Sequence, residues 1–245
     1  MSFAKKKVFI SGAYRGFGRS LATHFSNGGA ELFLTVRGEQ ARQETLDFFQ
    51  SHSRQPAHVY DCDLSNPRAV SATMAAVAGE TDHIDIIVNN AAMWLEGGIN
   101  DVTDEAVADT INSGVTGSVL VIKNLEKLLL NSKTPDIVNM ISACGIPYFK
   151  ASSAHVAFYA MKHGQSGMSE LLTDRLKGEG VRVISLYPPD FHNVEEDPEP
   201  WSRREESPFG TMLTSRELID TIDFALTRPR NCMMNQIFFE DTRTQ

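Results

Sequence analysis

Directly after a short apolar run at Lys7–Ser11 the chain reads Ser11-Gly12-Ala13-Tyr14-Arg15-Gly16-Phe17-Gly18, and a helical pattern opens at once. Glycines at such a place allow a tight turn, so that backbone N–H groups and a helix N-terminus can approach a pyrophosphate, whose charge the helix dipole favours. Glycine-rich turns also occur with no ligand. The position between a first strand and a helix turns the reading towards a dinucleotide. The next informative stretch is Leu34-Thr35-Val36-Arg37, at the end of a second strand-like run. It offers no carboxylate to accept hydrogen bonds from a ribose 2′-hydroxyl, whereas an arginine can hold a 2′-phosphate through charge-assisted contacts. Arg37, helped by Arg15 in the glycine turn, therefore points to NADP, against the plainer reading of two solvated surface charges.

The elements that must position these groups follow from hydrophobic periodicity. Short apolar runs near Lys7–Ser11, Glu31–Val36, Ala57–Tyr60, Ile84–Asn89, Asp136–Ile141, Val181–Leu186 and Gln236–Phe239 read as strands. Helical patterns near Arg19–Asn27, Glu39–Ser51, Pro67–Ala78, Asp104–Leu130, Val156–Lys177 and Ser215–Leu226 lie between them. Such alternation predicts an α/β fold, a single doubly wound Rossmann-type domain over residues 1–245 with a parallel sheet flanked by helices. Pro, Glu, Asp and Arg crowd together at 193–208, which reads as an inserted loop. With Trp201, Phe209 and Met212 as pocket walls, the stretch 193–212 is the expected substrate loop.

Composition narrows the partners. A chain of 245 residues with 42% hydrophobic and 22% charged residues has the make-up of a globular protein. Its net charge of −8 repels phosphate backbones and anionic lipid, so nucleic acid and membrane surfaces are not expected as partners. No apolar run reaches the roughly 18 residues of a membrane span. Cys62, Cys144 and Cys232 are far apart and show neither disulfide nor metal-ligand spacing, and no metal is expected. A reducing cytoplasm fits these cysteines.

The spacing Gly-x-x-x-Gly-x-Gly at residues 12–18 resembles the short-chain dehydrogenase/reductase family, and the resemblance covers about the whole chain in one order. Asp63-Leu64 resembles the family's adenine-contacting pair, and Asn89-Asn90-Ala91-Ala92 its Asn-Asn-Ala-Gly turn, with Ala92 in place of Gly. Tyr187-Pro188-Pro189 stands where Pro-Gly is usual. The resemblance implies cofactor contacts from Gly12, Tyr14, Arg15, Gly16, Phe17, Gly18, Arg37, Asp63, Leu64, Asn90, Ala91, Lys162 and Pro188.

It also implies a chemical site. Family members use a Ser to hydrogen-bond the substrate oxygen, a Tyr to supply the proton, and a Lys four residues later to lower the Tyr pKa and hold the nicotinamide ribose. Ser142 and Lys162 match, and Asn112 resembles the Asn that completes the family's proton relay. The Tyr position holds Phe158, in the run Phe158-Tyr159-Ala160-Met161-Lys162. Tyr159 comes one residue late and is rotated by about 100° on a helix. His155 and Tyr148 are the other candidate proton sources nearby. Phenylalanine keeps the packing of a tyrosine while deleting its acid, so two readings stand: a reductase from which one hydroxyl has been removed, as an experimenter trapping a complex would choose, or a natural protein with a different task.

The resemblance accordingly implies an NADP(H)-dependent oxidoreductase acting on a small-molecule carbonyl or alcohol. The alternatives are a non-redox sensor that binds NADP, and a lyase or isomerase that reuses Ser142 and Lys162. Gly164, Met168, Leu171, Leu172 and Leu176 recur at helical spacing and read most simply as a buried stripe, one that a subunit interface could share. Together with the resemblance they suggest a homotetramer or homodimer joined through the Val156–Lys177 and Asp104–Leu130 helices.

Overall fold

The computed structural model describes residues 3–53, 55–193, 210–240 and 242–243. Its strands and helices alternate as β1 (Lys7–Ser11), α1 (Gly16–Asn27), β2 (Glu31–Val36), α2 (Glu39–His52), β3 (Ala57–Asp61), α3 (Pro67–Glu80), β4 (Ile86–Asn89), α4 (Asp104–Ile111) and α5 (Gly117–Leu130). They continue as β5 (Asp136–Met140), α6 (Val156–Leu176), β6 (Arg182–Tyr187), β7 (Phe191–His192), β8 (Leu213–Thr214), α7 (Ser215–Leu226) and β9 (Gln236–Phe238). Seven strands form one parallel sheet in the order β3-β2-β1-β4-β5-β6-β9. The expected doubly wound α/β architecture is the one found. The chain reverses direction across the sheet between β1 and β4, which opens a crevice at their carboxyl ends.

Period-two alternation explains why the central strands are apolar throughout. Val8, Ile10, Leu32, Leu34, Val88 and Ile184 face one layer, where Leu21 and Phe25 of α1 and Leu218 and Ile222 of α7 cover them. Phe9, Phe33, Ile87, Ile137 and Val183 face the other, against Met74 of α3 and Val121 and Leu125 of α5. A parallel sheet covered on both faces leaves no side of such a strand polar. Helix starts are set by side chains: Asn66 caps α3 ahead of Pro67, Thr103 caps α4, and Thr214 forms a reciprocal capping box with Glu217 on α7.

The structure adds detail that periodicity did not carry. The expected Asp104–Leu130 helix contains a π turn at Asn112–Thr116 between α4 and α5. Gly114 in that turn lies so close to Met161 of α6 that a Cβ would overlap its Cγ and Sδ. β7 and β8 pair as a two-residue parallel ribbon that sequence reading did not find. Near the amino ends of β5 and β6, Arg182 makes a bidentate pair with Asp136 at 2.8 and 2.9 Å. Its remaining donors reach the carbonyls of Leu226 at 2.8 Å and Arg228 at 2.9 Å. These contacts fasten the end of α7 to the sheet, and the chain leads from there into β9 and the functional edge. Among the described residues no helix is long and apolar enough to cross a membrane, and no cluster of His, Cys, Asp and Glu could hold a metal ion.

Candidate functional site

The glycine turn is built by its neighbours. Gly12 has φ 72°, and a Cβ on it would stand 2.8 Å from Ala91 Cβ, so only glycine fits. Gly12 N and Ala13 N donate to Thr35 O at 2.9 and 3.0 Å, which ties the turn to the end of β2. Asn90 Nδ2 donates to the carbonyls of Ser11 and Gly12, both at 3.1 Å, while Ser11 Oγ accepts from the backbone N–H groups of Asn90 and Ala91. Asn90 thus shapes the turn from β4. The N-cap residue of α1, Arg15, makes no side-chain cap of its own, and the helix begins at Gly16 on the lining of the crevice, with its dipole directed there.

A cleft of about 580 Å³ runs over this turn and is lined by Gly12, Tyr14, Arg15, Gly16, Phe17 and Gly18. Arg37, Asp63, Leu64, Asn90 and Ala91 line it too. Arg15 and Arg37 are exposed there, and Arg37 Nη1 donates to Met93 Sδ at 3.4 Å. Gly38 N, at the start of α2, donates to Asp61 Oδ1 at 2.6 Å. The Tyr14 hydroxyl donates to Glu44 at 2.7 Å, and Phe17 packs edge-on against Phe191. Asp63 Oδ1 accepts from Ser65 N and Oγ and so fixes the turn beyond β3. Thr35, Val36, Cys62 and Met93 also line the cleft, and no sequence signal singled them out.

Ser142 ends the segment that follows β5, with φ 148°, a strained value for a residue other than glycine. The conformation is held from both sides, because Ile141 N donates to Leu186 O and Ala143 N to Pro188 O. Pro188 is buried, with its carbonyl turned to this strap rather than to the cleft. Ser142 Oγ accepts from Cys144 N at 3.2 Å. The residue lines a second cavity of about 850 Å³, with Phe149, Ser152, Pro189, Phe238, Phe239 and Glu240 among its walls. The turn after β5 thus supplies one wall, from Ala143 to Ser152, and the end of β9 adds a side that sequence reading missed. Met212 is not among those walls; Trp201 and Phe209 lie outside the described residues.

Lys162 is 3% exposed, and its Nζ donates to Met140 O at 2.9 Å and to Gln165 Oε1 at 3.0 Å. Burial lowers its pKa to about 7, opposed by the neighbouring Cys144 thiol. The Phe158 ring lies 5.5 Å from Lys162 Nζ and is packed edge-on by Trp94 at 4.9 Å. Trp94 is brought there because His155 N donates to Leu95 O and Glu96 bridges to Ala154. Tyr159 points elsewhere, towards Cys144 and Ser152, and burial, then Cys144, raises its pKa. His155 caps α6, with Nδ1 accepting from Ala157 N, and its buried Nε2 has no partner among the described residues. Tyr148 is 95% exposed and lines neither cavity. The Asn112 side chain accepts from Thr116 Oγ1 at 3.3 Å. The carbonyl joined to Lys162, through Gln165, belongs to Gly114.

Residues 6–196 match the short chain dehydrogenase family. An uncharacterised oxidoreductase of Staphylococcus epidermidis is 26% identical over 97% of this chain and 98% of its own. A putative ketoacyl reductase of Streptomyces coelicolor is 30% identical over 74% of this chain and 69% of its own. A D-threitol dehydrogenase of Mycolicibacterium smegmatis is 28% identical over 75% of this chain and 69% of its own. Among solved structures, L-sorbose reductase from Gluconobacter frateurii, complexed with NADPH and L-sorbose, shares the fold at a TM-score of 0.80 and 18% identity, covering 99% of this chain and 97% of its own. A 3-oxoacyl-[acyl-carrier protein] reductase from Brucella melitensis with bound NAD does so at 0.80 and 19%, covering 99% of this chain and 92% of its own.

Proposed function

Because the chain belongs to the short-chain dehydrogenase family, we propose that it is an NADP(H)-dependent oxidoreductase that interconverts a small or medium carbonyl compound and its alcohol. The observation that carries this reading is the placing of two cavities at the carboxyl ends of one sheet's strands: a cleft over the start of α1 with two arginines, and a separate cavity lined by Ser142. The cleft fits a dinucleotide, since Gly12 and Gly18 leave backbone where any Cβ would collide and the N-terminus of α1 favours a pyrophosphate. Arg15 and Arg37 favour the 2′-phosphate of NADP. When bound, the cofactor supplies or accepts the hydride. Ser142 Oγ donates to the carbonyl oxygen and polarises it, while Lys162 holds the nicotinamide ribose through an N–H left over from its two protein contacts.

Relatives named as ketoacyl reductases, a threitol dehydrogenase and a sorbose reductase suggest polyols and β-keto compounds for the first panel. Phe158 favours a second reading, a protein that binds NADP without turnover, because the side chain beside Lys162 carries no transferable proton. Titration with NADPH and NADH, followed by a turnover assay on ketones and aldehydes, tests both. NADPH consumption supports the oxidoreductase; binding with no turnover on any substrate supports the sensor.

A further inference from the structure

We infer that Gln165 is the positioning residue of this site, a buried amide that bridges the Lys162 ammonium to the Gly114 carbonyl of the π turn and decides which lysine N–H remains for a ligand. The proposed oxidoreductase reading enters only in calling that ligand a cofactor ribose.

Gln165 lies one helical turn after Lys162 on α6 and is 2% exposed. Its Oε1 accepts from Lys162 Nζ at 3.0 Å, and its Nε2 donates to Gly114 O at 3.1 Å and to Ser118 Oγ at 3.3 Å. A flipped amide would set NH2 against the ammonium and oxygen against the Gly114 carbonyl, so the partners themselves fix its orientation. The turn carrying Gln165 is braced as well: Ser169 Oγ donates to Gln165 O at 2.8 Å, and Asn139 Nδ2 of β5 donates to Ser169 Oγ at 2.9 Å. Of the three Lys162 N–H groups, one goes to Met140 O and one to Gln165, which leaves one.

Gly114 supplies the far end of the bridge with its carbonyl. Its contact with Met161 leaves no room for a side chain, and the π turn brings its carbonyl to Gln165 from an element 51 residues away. The surroundings of Lys162 give the amide its weight. The turn after β5 contributes the Cys144 thiol, α6 contributes the Phe158 ring face, and β5 contributes the Met140 carbonyl. The π turn and α5 reach Lys162 through Gly114 and Ser118, which carry no charge. Among the described residues no carboxylate pairs with Lys162, so a neutral dipole helps hold a proton that burial tends to expel.

The test is a direct titration of Lys162 in the full chain, by NMR of side-chain-labelled lysine assigned with Lys162→Met. In Gln165→Leu the midpoint should fall by about one to two pH units, the size of a hydrogen bond to a charged group, and in Gln165→Glu it should rise by at least as much. Gln165→Met serves as a second apolar variant should the leucine variant fail to fold. NADPH affinity at neutral pH should drop by about tenfold in the apolar variants and return in Gln165→Glu. A packing role alone would leave the titration in place, so midpoints unmoved in both directions overturn the inference. Midpoints that move as expected in a chain that binds no NADPH refute the proposed cofactor and leave Gln165 as the residue that positions Lys162.

Discussion

Phe158→Tyr adds one oxygen to a ring that already has its place. The ring is 6% exposed, its face is 5.5 Å from Lys162 Nζ and Trp94 supports it edge-on, so the new phenol keeps the packing of the phenylalanine. At a separation of about 5 Å and an effective dielectric of about 20, an ammonium favours a phenolate by about 3 kcal/mol, or about two pKa units. Lys162 delivers only part of this at neutral pH, because burial holds it at about 7 and a large fraction of the molecules are uncharged. The expected phenol pKa is then about 8 to 10, and a positioned acid in that range restores a share of the about 10²–10⁴ that general acid catalysis contributes. We predict that Phe158→Tyr raises kcat/KM for carbonyl reduction by at least about tenfold and changes the NADPH Kd by less than about twofold. The loss of NADPH absorbance with a panel of ketones and aldehydes gives the rate, and a fluorescence titration gives the Kd. A variant that binds NADPH normally and gains nothing on any substrate refutes the reasoning. His155, whose Nε2 has no partner among the described residues, becomes the next side chain to replace.

Arg37→Ala should weaken NADPH by about 10–100-fold and NADH by less than about twofold, as competitive titration will show; equal losses count against a 2′-phosphate contact. Lys162 is held at about 7 in the folded chain, against about 10.4 when unfolded, so between these values the unfolded chain binds more protons and stability rises with pH. Urea midpoints should therefore show wild type losing, from about pH 7 to 10, a handicap on the order of a few kcal/mol relative to Lys162→Met; a difference that does not change with pH refutes it. Met168, Leu172 and Leu176 of the expected stripe pack on the chain's own core, and only Leu171 of its large apolar residues is exposed; we predict a homo-oligomer joined through α5 and α6, where Val119, Leu130 and Val156 are exposed with it. Light scattering that gives only the 27.1 kDa monomer at micromolar concentration argues against that assembly.

The sequence by itself determined the succession of strands and helices, because parallel strands buried on both faces must be apolar throughout and amphipathic helices must repeat a stripe. It also determined the glycine turn and Arg37, whose signals are local: a backbone that tolerates no Cβ, and the residue type at a strand end. Only the tertiary structure decided what surrounds Lys162. Helical periodicity does not distinguish a π turn at Asn112–Thr116 from continuous α-helix, since the apolar stripe survives both. Whether Tyr148, Tyr159 or His155 approaches Phe158 depended on backbone conformation in the 143–155 segment, where no period operates. The bridge from Lys162 through Gln165 to Gly114, and the cavity wall from Phe238 to Glu240, join residues far apart in the chain. Their meeting is fixed by how the helices and the sheet edge pack, and no local pattern of residues encodes that distance.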